Sequence, residues 1–389
     1  MEKYFLMNGN IPIICFSVKE NPLGEKIIIR NIELSEKEIP DIPVLRKAIH
    51  DDTLSEWLGS WLESRNYAKH KDHLKRWLKE WGIDNTQGFI ELTHGLSLND
   101  TLWVKNTVSH LQWENINFYN NPFSDIAEKT AFDTGLNGLQ FSSTSPELTS
   151  EGTFPKCWKR DGNNIFLYKT GLTGAINVGL EPYSEYISSE IVKQITSHTV
   201  LSYGLEMFKG RLCSKCKLFT SETEGFIPFY KYLSINQKYT IGEIIKICSK
   251  YGFENEAKEM FFTDSIIMNQ DRHLGNFGFI VDNKTFKIKR FAPFYDYNGS
   301  LLCNALITDL KDFKKYENEY LVGHKLGGTF AEVGKALYSD EISKNIPSSI
   351  KIPLHKKFNL PEERLNLISG ILQDNIKEIT GKNINFYLS

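Results

Sequence analysis

Residues 269–280 place four side chains that can do chemistry directly before an apolar run. The segment reads NQDRHLGNFGFI, with Asp271 and Asn276 five positions apart. An aspartate can accept the proton of a hydroxyl nucleophile, and an amide oxygen is one of the hard ligands that Mg²⁺ takes. Arg272 and His273 lie between them and could brace the loop through hydrogen bonds. Because burying such groups without partners costs several kcal/mol, we expect this loop to form a binding site.

A second acidic residue is expected to join this loop through a β-hairpin. After Asn276 the chain reads FGFIVDNKTFKIKRFAPFYDYNG, in which apolar residues alternate, Asp282-Asn283 can turn and TFKIKRF returns as the partner strand. The return brings Asp296 beside Asn276. One carboxylate and one amide oxygen, completed by phosphate oxygens and water, suffice for Mg²⁺.

A hydroxyl-rich segment further upstream could bind phosphate. It reads FSSTSPELTSEGTFPKCWKRDGNNIFLYKTG, with Gly152 at its turn and the strand IFLYK ending on Lys169. Backbone N–H groups of a glycine turn can approach phosphate oxygens, and a strand lysine adds positive charge. An ordinary surface hairpin is the alternative. The candidate nucleotide contacts are Ser150, Gly152, Thr153, Lys156 and Lys169.

The segment EPYSEYISSEIVKQI predicts a helix entered after Pro182, with Ser184 as a possible N-cap and Glu185 in the first turn. Glu185 could complement the helix dipole or hold Lys169. The polar stretch from Phe219 to Gly225 suits a hinge, and Phe219 is a further candidate nucleotide contact. The nearby Cys213 and Cys216 lack a second pair of ligands and are interpreted as reduced thiols.

These motifs fall into three predicted segments, 1–139, 140–225 and 226–389. The first opens with a hairpin at Asn8-Gly9 and continues into two amphipathic helices, whose tryptophans recur at helical spacing and are interpreted as core residues. The last is mostly helical in pattern. Within it, YENEYLVGHKLGGTFAEVG is interpreted as a loop without chemistry.

The composition excludes several broad classes. The 389 residues carry a formal net charge of -2, from 46 basic and 48 acidic residues, so no global attraction to nucleic acid or to an anionic membrane is expected. The sequence contains no run of 18 consecutive apolar residues, so a membrane-spanning helix is not expected. Six scattered cysteines suit a reducing compartment. We therefore predict a cytoplasmic protein without direct nucleic-acid or membrane binding.

Several segments together resemble HipA-like protein kinases, the toxin-type serine/threonine kinases of bacteria. They are SPELTSEGTFPKCWK, IFLYKTG, EPYSEYISSEI, CKLFTSETEG, IIMNQDRHLGNFG and PFYDYNGSLL, which span about residues 143–302. The resemblance implies an α+β, bilobal kinase-like fold with a β-rich N-lobe and a helical C-lobe, the use of ATP and Mg²⁺, and phosphorylation of a protein hydroxyl.

Carried over by position, the resemblance makes Asp271 the catalytic aspartate, Asn276 and Asp296 the metal ligands, and Lys169 the ATP-phosphate lysine with Glu185 as its partner. In the family the hydroxyl-rich loop can be autophosphorylated. The candidate acceptors here are Ser145, Thr149, Ser150 and Thr153.

The chain also departs from other kinases, because Tyr297 and Asn298 follow Asp296 in place of a DFG sequence and no HRD order is present. The role of residues 1–139 is open, and any DNA-binding antitoxin would be a separate protein. Three alternatives stay open. They are a nucleotide-binding pseudokinase that acts as an interaction module, a kinase of a lipid or small molecule, and a metal-dependent hydrolase built on Asp271, His273 and Asp296.

Overall fold

The computed structural model describes residues 2–20, 27–34, 39–65, 86–123, 156–174, 177–233 and 237–389. The chain forms two compact units, each assembled from separated stretches. The first consists of Met1–Phe166, Thr220–Ile227 and Phe279–Arg290, and the second of Leu167–Phe219, Pro228–Gly278 and Phe291–Ser389. The three consecutive segments predicted from the sequence stay a prediction.

An antiparallel four-stranded sheet opens the first unit. Its strands are β1 (Lys3–Asn8), β2 (Ile11–Glu20), β3 (Ile27–Leu34) and β4 (Leu102–Asn106), in the order β3-β2-β1-β4. The connection between β1 and β2 passes through Gly9, whose φ of +55° lies in the left-handed region that glycine adopts without a steric penalty. The predicted N-terminal hairpin is confirmed.

Short helices accompany this sheet. They are α1 (Pro43–His50), α2 (Leu54–Ser64), α3 (Thr86–Thr93) and α4 (Trp113–Ile116). The apolar stripe of α2 is buried, with Leu58 and Trp61 only 0% and 6% exposed. An i, i+3, i+4 stripe that faces a core explains this spacing. The core interpretation is confirmed for Trp61, whereas Trp57 is half-buried. The second tryptophan-bearing stretch, residues 74–81, lies outside the described residues.

The strand that carries Lys169 belongs to a second four-stranded sheet. Its members are β5 (Lys156–Asp161), β6 (Asn164–Thr170), β7 (Tyr203–Phe208) and β8 (Arg211–Lys217), in the order β5-β6-β8-β7. The end of β6 that bears Lys169 lies in the second unit. Cys213 and Cys216 are both buried on β8. Their place in a strand agrees with the sequence interpretation, and their reduced state stays a prediction.

The predicted hairpin after Asn276 is also present. Strands β9 (Glu224–Pro228), β10 (Gly278–Asp282) and β11 (Ile288–Phe291) form a sheet in the order β11-β10-β9. The carboxylate of Asp282 accepts hydrogen bonds from the next backbone amides, at 3.1 Å from Lys284 N and 2.9 Å from Thr285 N, which closes the turn. At the open end, the N–H of Ala292 donates to the carbonyl of Gly278 at 2.9 Å.

The second unit is mainly helical. Its helices are α5 (Glu181–Val192), α6 (Ile241–Lys250), α7 (Glu254–Ile266), α8 (Ile307–Lys311), α9 (Phe313–Glu319), α10 (Phe330–Leu337), α11 (Asp340–Ser343) and α12 (Glu362–Thr380), and β12 (Ser349–Ile352) pairs in parallel with β13 (Asn385–Leu388). Helix α7 packs against α6, α10 and α12 and is buried along its length after its first turn. It therefore shows no amphipathic pattern, and it can present buried polar groups to the site.

The prediction of a mixed fold with several sheets and a helical C-terminal part is confirmed. Among the described residues, no helix combines the length and the apolar character that crossing a bilayer requires.

Candidate active site

Two acidic side chains share one lysine at the end of β6. The ammonium nitrogen of Lys169 lies 2.9 Å from Glu185 Oε1 and 2.6 Å from Asp296 Oδ1. The three side chains are 12%, 2% and 21% exposed, respectively, so the cluster is largely removed from water. The contact expected between Lys169 and Glu185 is therefore present. Two carboxylates around one ammonium leave an excess negative charge that a bound cation would offset.

Burial and charge act against each other in this cluster. Burial by itself raises the pKa of Asp296, but the Lys169 ammonium outweighs it and holds that pKa at about 2. Burial also raises the pKa of Glu185, and here Lys169 offsets the effect only in part. Burial alone would lower the pKa of Lys169, whereas the carboxylates of Asp296 and Glu185 raise it above its ordinary value. Asp296 is thus ionised near neutral pH and can act as a metal ligand.

Helix α5 carries Glu185 and is fastened to the turn that follows Asp296. Ser184 Oγ lies 2.8 Å from the carbonyl oxygens of both Tyr297 and Ser300. The prediction that Ser184 is the N-cap is wrong, because the helix begins at Glu181. Proline is tolerated in the first helical turn, where its missing N–H has no intrahelical partner, so the helix can start before Pro182. Ser184 therefore ties the helix to the Asp296 turn.

The backbone of Asp296 adopts a conformation that is rare for a residue with a side chain. Its φ is +62°, in the left-handed region, which costs roughly 1–2 kcal/mol for a non-glycine residue. The N–H of Asp296 donates to the Tyr203 hydroxyl at 3.0 Å. Tyr203 lies on β7 and is buried, and burial raises the pKa of its hydroxyl well above the ordinary value. A neutral phenol thus holds the backbone in this conformation, in which the Asp296 carboxylate reaches Lys169.

A buried arginine connects the loop of Asp271 to the strand end before Asp296. Arg272 uses Nε and Nη2 to contact both carboxylate oxygens of Asp264, at 2.7 and 3.0 Å. Its Nη1 donates to the carbonyls of Asn276 at 2.8 Å and Tyr295 at 2.6 Å. The Arg272 and Asp264 side chains are 1% and 0% exposed. One guanidinium therefore fastens helix α7, the loop and the residue next to Asp296 together, which confirms the bracing expected of Arg272.

The side chain of Asn276 is oriented by a local hydrogen bond. Its Nδ2 donates to the carbonyl of Asp271 at 3.2 Å, which leaves Oδ1 as the atom that can coordinate a cation. The Tyr295 hydroxyl donates to the carbonyl of Gly275 at 2.9 Å and adds a second tie between the loop and the chain that leads to Asp296. The loop of Asn276 and the segment of Asp296 are thus held side by side.

The oxygen atoms of Asp296 and Asn276 are the candidate ligands for Mg²⁺. Among the described residues there is no group of three or more His, Cys, Asp or Glu side chains that could hold a metal ion. Mg²⁺ does not require such a cage, because it retains water and accepts one or two protein oxygens together with substrate phosphates. The Asp296 carboxylate and the Asn276 amide oxygen are donors of this type. The residues present therefore fit a magnesium ion that is also bound by phosphate.

His273 shapes the loop from within. Its Nδ1 accepts a hydrogen bond from the N–H of Gly275 at 3.1 Å. Burial lowers the pKa of His273, so the ring is neutral near pH 7 and Nδ1 can remain an acceptor. The hydrogen bond between Gly275 and His273 therefore braces the loop.

Asp271 is more exposed than the other acids of the site. Its side chain is 34% exposed, and its Oδ1 lies 2.6 Å from the ammonium nitrogen of Lys325. A Cβ at Gly299 would lie only 2.7 Å from Asp271 Cβ, so the turn after Asp296 can approach the loop this closely only with glycine. The N–H of Gln270 donates to the carbonyl of Gly299 at 3.1 Å and fixes that approach.

Sequence analysis missed Lys325. It lies 54 positions after Asp271, in the segment interpreted as a loop without chemistry. The structure corrects the loop interpretation in part, because residues 316–319 belong to α9 and residues 330–334 to α10. It also places the Lys325 ammonium on the carboxylate of Asp271. The only sequence signal for Lys325 was its place between nearby glycines, and this signal is weak because such lysines are common on protein surfaces.

The remaining candidates occupy different places. Phe219 is half-buried, and its ring centroid lies 5.3 Å from that of Tyr295, the residue before Asp296. Lys156 begins β5 in the first unit and is half-buried. Their proposed nucleotide contacts stay predictions. The predicted phosphate-loop and autophosphorylation residues, Ser145, Thr149, Ser150, Gly152 and Thr153, lie outside the described residues.

Comparisons with known proteins gave structural matches only. No protein-family model matches the chain, and no curated protein matches its sequence. The fold is similar to that of the Helicobacter pylori proinflammatory kinase CtkA, with 16% identity and a TM-score of 0.46 over 59% of this chain and 90% of that one. It is also similar to that of Shewanella oneidensis HipA, solved with HipB and operator DNA, with 10% identity and a TM-score of 0.49 over 97% of both chains.

Both neighbours have kinase-like folds. At these identities and TM-scores the reaction of this chain must be inferred from its own side chains.

Proposed function

We propose that this chain is an ATP- and Mg²⁺-dependent kinase that phosphorylates serine or threonine hydroxyls of a protein. The observation that carries the proposal is the buried contact of Lys169 with Glu185 and Asp296, at 2.9 and 2.6 Å. The Lys169 ammonium can contact the anionic oxygens of a phosphate. The two carboxylates beside it can attract a second cation.

The roles follow from the atoms that each side chain offers. Asp271 is partly exposed and can accept the proton of an acceptor hydroxyl. Lys169 contacts the nucleotide phosphates, and Glu185 holds its ammonium in place. The buried pair of Arg272 and Asp264 keeps the loop in this arrangement before substrates bind. Positioning and electrostatic stabilisation supply most of the catalysis in phosphoryl transfer, so a preformed site of this kind is suited to the reaction.

Asp296 and Asn276 would hold the magnesium ion through Oδ1 or Oδ2 of the carboxylate and Oδ1 of the amide. When bound, Mg²⁺ neutralises negative charge on the phosphate oxygens. Asp296 has its pKa held at about 2, so it needs no deprotonation to act as a ligand at neutral pH. The hydrogen bond from Asn276 Nδ2 to the carbonyl of Asp271 sets the orientation of the amide.

A cavity of about 620 Å³ includes Gln270, which precedes Asp271 in the chain. Its wall combines amides, one threonine hydroxyl and two tyrosines with two aspartates and a lysine. Amide and hydroxyl groups can exchange hydrogen bonds with a peptide backbone, so this cavity is a candidate place for part of a polypeptide acceptor. The cavity is lined by Asn177, Gln270, Asn304, Leu306, Thr308, Asp309, Asp312, Lys315, Tyr316 and Tyr320.

The finer points of the proposal come from the sequence, in part from the resemblance and in part from the residues themselves. They are autophosphorylation at Ser145, Thr149, Ser150 or Thr153, nucleotide contacts from Lys156 and Phe219, a separate DNA-binding antitoxin as partner, and action in the cytoplasm.

Labelled ATP tests the proposal. The purified chain is incubated with Mg²⁺, ATP labelled at the γ-phosphate and a protein extract whose own kinases have been heat-inactivated. Label in protein is then compared for wild type, Asp271→Asn and Asp296→Asn. We expect both variants to lose at least about 10³-fold in transfer, since each removes a charge needed in the transition state.

The matched control is Asp374→Asn, which removes an exposed aspartate on α12 and should transfer at the wild-type rate. Equal labelling by all four proteins would contradict the proposal. Magnesium-dependent ATP binding without transfer by wild type would favour the pseudokinase.

A further inference from the structure

The ion pair between Lys325 and Asp271 lies where the reaction would take place. Its two atoms are 2.6 Å apart, and the side chains are 50% and 34% exposed. Exposed ion pairs contribute at most about 1 kcal/mol to stability, so this pair is not needed to hold the fold together. Its exposure also means that a substrate can reach both groups.

The loop that carries Lys325 has a defined backbone. Gly323 has a φ of +75°, and a Cβ there would lie 2.5 Å from the carbonyl oxygen of Gly328. The N–H of His324 donates to that same carbonyl at 3.0 Å, and the N–H of Gly327 donates to the carbonyl of His324 at 2.9 Å. Residues 323–328 thus close on themselves through glycines that other residues could not replace.

His324 fastens this loop to the interior. Its side chain is 3% exposed, and its ring centroid is 4.8 Å from that of Phe330. Its Nε2 lies 2.8 Å from the Ser265 hydroxyl on α7. Burial lowers the pKa of His324 to about 4, so the ring is neutral near pH 7.

Both partners of the ion pair are therefore anchored to neighbouring residues of one helix. Asp271 is held through Arg272, which contacts Asp264 of α7, and Lys325 is held through His324, which contacts Ser265 of α7. An incidental surface contact would not need two buried anchors on adjacent residues. The second unit fixes the position of Lys325 relative to Asp271 in the same way that it fixes the catalytic loop.

We propose that Lys325 is a further catalytic residue whose ammonium contacts the phosphoryl group during transfer, an inference that rests on the proposed function. The acceptor hydroxyl must lie within roughly 3 Å of the Asp271 carboxylate, and the γ-phosphorus within about 3–3.5 Å of that hydroxyl oxygen. An ammonium 2.6 Å from the same carboxylate is within reach of the phosphoryl oxygens. It has three N–H donors, of which Asp271 Oδ1 accepts one.

Transfer moves the γ-phosphoryl group of ATP to the acceptor hydroxyl. The acceptor oxygen forms a bond to the γ-phosphorus while the bond from that phosphorus to the bridging oxygen breaks. The electron pair of the broken bond leaves on ADP, and the hydroxyl proton passes to the Asp271 carboxylate. Lys325 offsets the negative charge of the transferred phosphoryl oxygens, and this ammonium faces the acceptor side, whereas Lys169 contacts the nucleotide side.

The test compares Lys325→Met, Lys325→Arg and Lys335→Met under the labelled-ATP conditions, with Mg·ADP binding measured by calorimetry. Lys335 is a matched control, because it is also 50% exposed and lies 2.7 Å from Glu378, away from the site. We expect Lys325→Met to lower kcat about 10²-fold or more while the Kd for Mg·ADP stays within twofold. Lys325→Arg keeps the charge and should recover about tenfold, and Lys335→Met should match wild type.

Each outcome has a distinct meaning. Lys325→Met with wild-type or higher kcat overturns this inference alone, and a higher rate would identify the pair as inhibitory. A wild-type protein that neither binds nucleotide nor transfers phosphate overturns the proposed function itself. If Lys325→Met fails to fold, the kcat of Lys325→Gln relative to Lys325→Arg decides the question.

Discussion

Two lysine–aspartate contacts of the second unit have the same length and different surroundings. Lys169 and Asp296 are 2.6 Å apart with 12% and 21% exposure, and Lys325 and Asp271 are 2.6 Å apart with 50% and 34% exposure. Water screens the second pair, whereas the first is desolvated and shares its lysine with Glu185. Distance alone therefore does not define the role of an ion pair. The buried contact is part of the fold, and the exposed one can be exchanged for contacts with a substrate.

This comparison predicts a large stability effect at the buried pair. Lys169→Met leaves Asp296 and Glu185 without their cation, and removing one partner of a buried pair costs about 3–5 kcal/mol. We expect a loss of this size in the free energy of unfolding at pH 7, measured by urea denaturation. The loss should shrink as the pH falls into the acidic range, because burial raises the pKa of Glu185 and the unpaired carboxyl can take up a proton.

The double variant Lys169→Met, Glu185→Gln controls for the unpaired charge. It should recover part of the stability lost in Lys169→Met. A single variant as stable as wild type would show that the cluster is not desolvated.

His324, which anchors the loop of Lys325, should make the stability of the fold depend on pH. The pKa of His324 is about 4 in the folded chain and 6.5 in the unfolded chain, so the unfolded state binds more protons between these values. Stability from the neutral ring is fully present above pH 6.5 and is lost progressively down to pH 4, by up to about 3 kcal/mol. Urea denaturation from pH 7 to pH 4 should show this slope, and His324→Gln should flatten it. An unchanged slope in the variant would assign the effect to other groups.

The smallest effect is expected at the exposed pair itself. Lys325→Met should lower the free energy of unfolding by less than about 1 kcal/mol, as should Lys335→Met, because both lysines are half exposed. Urea denaturation of the two variants in parallel checks this. If Lys325→Met costs as much stability as Lys169→Met, the contrast between the two pairs is lost.

The local parts of the site could be predicted from the sequence. The hairpin between Asn276 and Asp296 follows from alternating residues and turn chemistry, and the strand that ends on Lys169 follows from its apolar run. Such features depend on neighbours within a few positions. The contact between Lys169 and Glu185 was one of two alternatives for Glu185, and it came from the likeness to kinases and not from the local pattern.

The missed parts depend on contacts between distant positions. Asp264 lies in helix α7 and contacts Arg272. Because α7 has no amphipathic pattern, the sequence of this helix does not indicate a buried ion pair. Lys325 reaches Asp271 across 54 positions through a glycine loop that resembles any surface turn. Ser184 was predicted as a cap from its type alone, whereas tertiary contacts with the carbonyls of Tyr297 and Ser300 determine its place.

The most direct test of the account is whether positions 276 and 296 bind one cation together with ATP. Mn²⁺ can replace Mg²⁺ at oxygen ligands, and electron paramagnetic resonance reports free Mn²⁺ as ATP-loaded protein is added. We expect wild type and Asp271→Asn to bind Mn²⁺ in an ATP-dependent manner, whereas Asp296→Asn and Asn276→Leu should each weaken this binding at least tenfold. Wild-type Mn²⁺ binding by both ligand variants would contradict it.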